Sequence, residues 1–154
     1  MPNFVYNIAK GRVNEFLERV AANDPAASGI LVVAIDTATA DGTLQDLDTL
    51  AAVLADGGTA EVTNTNSARK ELTDADVTAG GVDVSADRYD ADLPDQTWTA
   101  VAAGDSWTDL VICYDSDTAA GDDTNIIPLT QHDFAVTPNG GDITAQIADF
   151  FRAS

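Results

Sequence analysis

Side chains able to act as nucleophiles or acid–base catalysts are few in this chain, and no complete catalytic set is evident. Gly104-Asp105-Ser106 matches a block that supplies the nucleophile in one class of hydrolases, where a late Asp-x-x-His motif provides the activating base. The single histidine, His132, follows Leu129-Thr130-Gln131 and lacks that aspartate. A turn between strands around Trp98 and Trp107 explains the tripeptide, so we predict no catalytic residues.

The densest acidic loop runs from Asp115 to Asp123 and raises the question of a calcium site. Ca²⁺ takes about six to eight oxygen ligands, and alternate aspartates before a glycine can begin such a set. The loop lacks a closing glutamate, and Ala119 and Ala120 stand where ligands are needed. We expect a solvent-facing hairpin loop without a required metal ion, and we predict no cofactor.

The remaining chemistry-bearing residues favour structural roles. His132 and Asp133 are adjacent on a predicted strand, where neighbouring side chains point to opposite faces, so an acid–base pair is disfavoured. Cys113 lies in an apolar run and is expected to be buried, and as the single cysteine it excludes an internal disulfide. Four aromatic residues favour packing in a core or subunit interface, with a glycan-binding surface as the alternative: Tyr89, Trp98, Trp107 and Tyr114.

Composition sets the broad class. The 154 residues suit a single globular domain spanning positions 1–154. Of the 26 acidic residues 22 are aspartate, and against 7 basic residues they give a net charge of −19. This charge repels phosphate backbones and anionic lipid, so we expect no nucleic-acid or membrane partner. The longest apolar run, Ile30 to Ile35, is too short to cross a membrane, and no secretory signal is apparent.

Hydrophobic periodicity predicts two helices followed by many strands. Apolar residues at helical spacing predict an amphipathic helix from Val13 to Ala21, and a shorter helix is expected from Asp46 to Ala55 with Asp46 as its cap. Strands are predicted at Phe4–Ile8, Ile30–Ile35, Glu61–Asn64, Ala68–Leu72, Val82–Val84, Gln96–Ala102, Thr108–Tyr114, His132–Thr137 and Asp142–Ile147. The expected fold is α+β, mostly antiparallel β in a sandwich or barrel, with an N-terminal amphipathic helix and one further short helix.

Four stretches together carry a resemblance to a known group. They are Asn7–Val13, Ala68–Asp76, Arg88–Trp98, and the end of the chain from Ile127-Pro128-Leu129-Thr130 through His132-Asp133-Phe134 to Phe151-Arg152-Ala153-Ser154. The combination resembles small virion structural proteins of tailed bacteriophages and related tailed viruses, which are typically found among head genes. The resemblance spans almost the whole chain but includes no catalytic motif.

The resemblance implies a non-enzymatic capsid decoration or minor capsid protein, made in the host cytoplasm and located in the virion. Its expected partners are the major capsid protein or other virion proteins, with copies forming a homo-oligomer or occupying symmetric lattice positions. A neck or tail protein and a host-surface or glycan-binding module are the alternatives. We predict docking through residues 1–11, whose apolar side chains are costly to expose, together with the positively charged residues. The predicted interface residues are Phe4, Tyr6, Ile8, Lys10, Arg12, Arg69 and Lys70.

Overall fold

The computed structural model describes residues 3–147 and 150–153. Within these residues the helices are α1 (Val13–Ala21), α2 (Asp41–Leu44) and α3 (Leu50–Ala55). The strands are β1 (Phe4–Val5), β2 (Gly29–Thr37), β3 (Thr59–Glu61), β4 (Lys70–Leu72), β5 (Gly81–Asp83), β6 (Arg88–Ala91), β7 (Gln96–Trp98), β8 (Trp107–Asp115), β9 (Ile127–Val136), β10 (Ile143–Ala145) and β11 (Phe151–Ala153). Strands dominate and their pairs are antiparallel, which confirms the predicted α+β class.

A six-stranded sheet, which we call the central sheet, organises the fold. Its order is β1-β9-β8-β2-β3, and β4 pairs with the start of β2 on the same edge where β3 pairs with its end. The three long strands β2, β8 and β9 form its middle. The β8–β9 ladder shifts register between Ile112 and Cys113, where Pro128, which has no N–H to donate, faces Cys113.

Both faces of the central sheet are buried, which explains why β2 is a continuous apolar run. Successive side chains on a strand point to opposite faces, so a strand covered on both sides shows no polar alternation. Alternate residues of β2 enter two apolar clusters: Ile30, Val32 and Ala34 belong to the first cluster, and Leu31, Val33 and Ile35 belong to the second cluster.

Helix α1 covers the first cluster, as its amphipathic pattern predicted. Phe16 is 3% exposed, and Val13, Leu17 and Val20 are fully buried in that cluster. The opposite helix face carries Arg12, Glu15 and Arg19, whose side chains form ion pairs at the spacing of one helical turn. The helix therefore separates the apolar interior from solvent along its whole length.

The second cluster is covered by α2, α3 and the N-terminal segment. Leu44, Leu50 and Val53 contribute fully buried side chains. The predicted helix start at Asp46 is wrong: α3 begins at Leu50, and Thr49 caps it by accepting a hydrogen bond from the Ala52 N–H at 3.1 Å. The threonine is closer to the first helical turn, where unpaired N–H groups need an acceptor.

Part of the N-terminal segment, from Phe4 to Ala9, packs into the core of the domain. The predicted strand from Phe4 to Ile8 is only β1, which pairs with β9, and a 3-10 turn follows at Asn7–Ala9. Tyr6 is fully buried, and its hydroxyl donates a 2.6 Å hydrogen bond to Gln131 Oε1. Tyr6, within the docking segment predicted at residues 1–11, is therefore unavailable to a partner; Met1 and Pro2 lie outside the described residues.

Two smaller sheets also pack on the face of the central sheet that bears the first cluster. Strands β7 and β10 form one, in which Trp98 pairs with Ile143. Strands β11, β6 and β5 form the other, in that order, and we call it the outer sheet. Strands β6 and β11 were not predicted, because their sequences (Arg-Tyr-Asp-Ala and Phe-Arg-Ala) are short and mix charged with apolar residues.

The Tyr6–Gln131 hydrogen bond provides a test of whether Tyr6 contributes to the stability of the core. Tyr6→Phe should reduce the unfolding free energy by about 1–3 kcal/mol, because it removes the partner of the buried Gln131 Oε1. Replacing both residues, Tyr6→Phe with Gln131→Leu, should restore part of the loss, since the Gln131 Nε2 also lacks a partner in the described structure. Urea unfolding measures both. A Tyr6→Phe protein as stable as the parent would contradict the assignment.

Candidate functional site

The Gly104-Asp105-Ser106 block lies in a hydrogen-bond network that joins two loops. One carboxylate oxygen of Asp105 accepts hydrogen bonds from the Thr63 N–H at 2.7 Å and the Thr63 hydroxyl at 2.8 Å. Asn64 donates to the carbonyls of Ala102 and Asp105, both at 3.1 Å, and its Oδ1 accepts from the Trp107 indole N–H at 3.0 Å. These contacts fix the turn that the sequence predicted at this position.

Ser106 and His132 do not form a catalytic pair. His132 pairs across the sheet with Leu110, which lies four residues beyond Ser106 on the neighbouring strand. At about 3.3 Å per residue this separation is about 13 Å, far beyond hydrogen-bond reach. The Nε2 atom of His132 instead shares a 2.9 Å hydrogen bond with the Thr130 hydroxyl.

His132 lines a cleft of about 480 Å³ between β9 and the segment that ends in β11. The cleft walls mix apolar residues, such as Val5 and Phe134, with polar residues, such as Thr130 and Asp133. Burial lowers the pKa of His132 below its ordinary value, and the neighbouring Asp133 carboxylate opposes that shift. The imidazole is therefore neutral at pH 7 and acts as a hydrogen-bonding member of the wall.

Cys113 is unsuited to nucleophilic chemistry in the folded protein. Its side chain is fully buried in the second cluster, as the sequence predicted. Burial raises the pKa of the Cys113 thiol well above its usual range, so the thiolate that would react is not formed. The residue packs as a small apolar side chain.

The acidic loop from Asp115 to Asp123 uses its carboxylates to hold its own backbone. Asp115 accepts from the Asp117 N–H at 3.0 Å, and Asp122 accepts from the Thr124 N–H at 2.9 Å. The expectation of a solvent-facing loop is wrong at Asp115, which is 4% exposed, and holds at Asp117 and Asp122. No group of three or more metal-ligating side chains occurs within residues 3–147 and 150–153.

Arg69, a predicted interface residue, is occupied within the chain. Its guanidinium contacts Glu61 Oε2 at 2.6 Å and Asp123 Oδ1 at 2.5 Å, and thereby links three segments distant in sequence. The hydrogen bond from Arg69 lowers the pKa of Asp123, which keeps this bridge charged. The Nζ atom of Lys70 lies 5.5 Å from the ring centre of Trp98. The structure therefore gives Arg69 an internal structural role and corrects its assignment as a contact to an acidic neighbour.

The N-terminal interface residues divide between core and surface. Tyr6 is buried and unavailable to a partner, which corrects its assignment, while Phe4 and Ile8 are half-buried against the second cluster. Lys10 and Arg12 are exposed. Lys10 Nζ donates to Asn7 Oδ1 at 2.5 Å, and Arg12 pairs with Glu15 while its guanidinium covers the Phe16 ring.

The two tryptophans are interior residues. Trp98 and Trp107 are each 1% exposed and meet edge to face with ring centres 5.1 Å apart. The Trp98 indole N–H donates to the Ala68 carbonyl at 2.8 Å. A glycan-binding groove built on these rings is therefore absent from the described residues, because neither ring reaches the surface.

An exposed apolar surface that the sequence reading missed lies on the outer sheet. Val82 and Val84 are 73% and 80% exposed and are the most exposed large apolar side chains among the described residues. With Asp87, Arg88, Tyr89 and Ala153 they line a shallow hollow of about 470 Å³. The sequence signal was the Val-x-Val alternation, which predicted a strand over Val82–Val84 but does not say whether its apolar side is covered. In the structure β5 ends at Asp83, and Val84 lies in the turn after it.

The outer sheet is anchored to the body through its middle strand. The Tyr89 hydroxyl donates to Asn14 Oδ1 on α1, and a side chain at Gly80 would collide with the Tyr89 ring. On the other face, Arg88 Nε contacts Asp90 Oδ2 at 2.6 Å and Arg152 Nε contacts Asp90 Oδ1 at 2.8 Å. The sheet is thus held in a defined position against the helix.

Comparison with known proteins gave no match to any family model, curated protein or solved structure. Across residues 3–147 and 150–153, no helix is both long and apolar enough to span a bilayer.

The state of His132 predicts a pH dependence of stability. Its folded pKa lies below the unfolded value of about 6.5, so the unfolded chain binds more protons as the pH falls through that region. The unfolding free energy should therefore decrease between pH 7.5 and pH 5.5. Urea unfolding of His132→Gln should show a smaller decrease than the parent over this interval. An equal decrease in both proteins would contradict the assignment.

The hydrogen bonds of the acidic loop predict that divalent cations do not change the thermal stability of the protein. A bound ion at about a hundredfold its Kd would add about 2.7 kcal/mol of stability, which is a shift of several degrees in Tm. Because Asp115 and Asp122 are engaged with backbone N–H groups and Asp123 with Arg69, we expect EDTA and added Ca²⁺ to give the same Tm. Thermal unfolding with each addition tests this. A calcium-dependent rise that Asp117→Asn removes would show a metal site.

Proposed function

We propose that this chain is a non-enzymatic structural protein of a virion. In this proposal it is a capsid decoration protein that attaches to the head shell of a tailed bacteriophage or related tailed virus and stabilises it. The resemblance of four sequence stretches that span almost the whole chain supports this choice among structural proteins. Copies would repeat at the symmetric positions that the shell offers.

The observation that carries the proposal is the exposed apolar end of the outer sheet. Val82 and Val84 are 73% and 80% exposed and line the same hollow, and clustered exposed apolar side chains are a feature of attachment surfaces. The rest of the described surface is strongly acidic, since the chain has a net charge of −19. A body that binds at one end and is soluble elsewhere suits a protein that coats a shell.

The placement of the reactive side chains supports a binding role rather than catalysis. Cys113 is buried, His132 is hydrogen-bonded to Thr130 in the wall of a cleft, and Ser106 lies about 13 Å from His132 along the sheet. The central sheet, covered on both faces, provides a stiff body. A stiff body that presents one fixed surface loses little conformational freedom on attachment, which favours binding.

Attachment to shells tests the proposal. Purified protein should co-sediment with head shells assembled without it, reach a saturating number of copies, and raise the temperature at which the shells release their contents. Serum albumin, another acidic protein, serves as the control for non-specific adsorption. Binding to complete virions but not to tailless shells would favour a neck or tail position. Absence of binding to both particles would overturn the proposal.

A further inference from the structure

We propose that Val82 and Ala153 at the outer end of the outer sheet, together with Val84 in the turn after β5, insert into an apolar recess on a partner protein whose rim carries lysine and arginine. The partner's identity as the shell protein rests on the function proposed above, whereas the docking surface and the chemistry of its partner rest on the structure alone. This surface replaces the N-terminal segment as the attachment site.

The cross-strand register makes the outer sheet amphipathic. Val82 pairs with Tyr89, and Tyr89 pairs with Ala153, so these three residues form one row on one face of the sheet. The next row inward on that face is Ala91 with Phe151. Ala91 is fully buried and Phe151 half-buried against the first cluster. The same apolar face is therefore covered by the core at its inner end and uncovered at its outer end.

The opposite face of the outer sheet consists of ion pairs. Gly81, Asp90 and Arg152 form one row, and Asp83 pairs with Arg88 in the next. Arg88 contacts both Asp83 and Asp90, and Arg152 also contacts Asp90. Because this face is polar and internally satisfied, the apolar face is the one suited to bind a partner.

The charge around the valines specifies the partner. Of the aspartates in the outer sheet and its turn, Asp83 and Asp90 are paired with Arg88 and Arg152 on the polar face, which leaves Asp87 as the carboxylate without a described ion pair. Asp87 lies beside the valines in the wall of the shallow hollow. An apolar patch with an acidic rim complements an apolar recess with a basic rim.

The same charge argues against a second copy of this chain as the occupant. Face-to-face contact would bring two acidic rims together, and each chain has a net charge of −19. Like charges placed opposite each other across an interface are destabilising, and salt screening reduces the repulsion without reversing it. The partner is therefore a different protein.

The valines and the rim are tested separately with the shells described above. Val82→Thr with Val84→Thr keeps the shape of both side chains and their strand preference, and it should weaken shell binding at least about tenfold. Val82→Asp with Val84→Asp should abolish it. Ala119→Asp with Ala120→Asp adds the same two charges at exposed positions of the acidic loop and should leave binding unchanged.

Asp87→Asn tests the rim. Asp87 has a φ of 51°, a conformation that asparagine tolerates, so the substitution removes charge with little strain. It should weaken binding and reduce its dependence on salt concentration. Asp48→Asn is the control, because Asp48 is exposed next to α3 on the other side of the central sheet and should have no effect. If both valine pairs and Asp87→Asn bind like the parent, the docking surface is refuted while attachment to the shell stands.

If the parent does not bind shells, the proposed function fails and the surface is tested in producing cells. A photo-crosslinking amino acid at position 82 should link to a partner peptide that combines apolar residues with lysine or arginine, and Val84→Asp should remove that link. The same crosslinker at position 120 serves as the control. Crosslinking of position 82 to this chain itself, with dimers at low salt, would overturn the proposal, as would equal crosslinking at both positions.

Discussion

The pairing of β2 with β8 is the constraint on which the rest of the structure depends. Seven consecutive pairs, from Gly29 with Asp115 to Ile35 with Asp109, join two strands whose side chains are buried on both faces. A strand pair of this kind is stable only if separate elements cover each face. Helix α1 and Trp98 of β7 cover one face, and α2, α3 and Tyr6 cover the other.

The strongly periodic parts of this arrangement could be predicted from sequence. The apolar face of α1 indicates a helix with one buried side, and the run from Ile30 to Ile35 indicates a buried strand. Both predictions are confirmed. The role of Tyr6 could not be predicted, because its partner Gln131 is 125 residues away and no local pattern indicates which side chain meets it. The sequence likewise shows that Arg69 is charged, but it does not indicate that Glu61 and Asp123 are its partners.

The candidate docking surface could be predicted only in part. The alternation of Val82, Asp83 and Val84 indicates a one-sided strand, but burial of that side depends on whether another element reaches it. Strands β6 and β11, which extend the outer sheet inward, carry too few apolar residues for a periodic signal. Exposure is decided by tertiary packing, which short sequence windows do not contain.

The aspartate richness of the chain has a structural basis at several loops. Asp83, Asp105 and Asp122 each accept hydrogen bonds from nearby backbone N–H groups, which their short side chains reach without strain. Hydrogen bonds from Ser85 and from Thr124 hold the pKa of Asp83 and of Asp122 below its usual range, and those from the Thr63 backbone and side chain lower the pKa of Asp105. These carboxylates stabilise the loops while ionised, and the contribution is lost as the pH falls through their folded pKa values.

The pairing of β1 with β9 has a consequence for how the chain reaches its native state. Phe4 pairs with Gln131, so the sheet edge closes only between segments separated by most of the sequence. Contacts of such long range require a large loop to close first and are associated with slow folding. A growing chain on the ribosome has no place for Tyr6 until β9 has emerged. The contacts of Phe4, Val5 and Tyr6 with β9 can therefore form only after most of the chain has been synthesised.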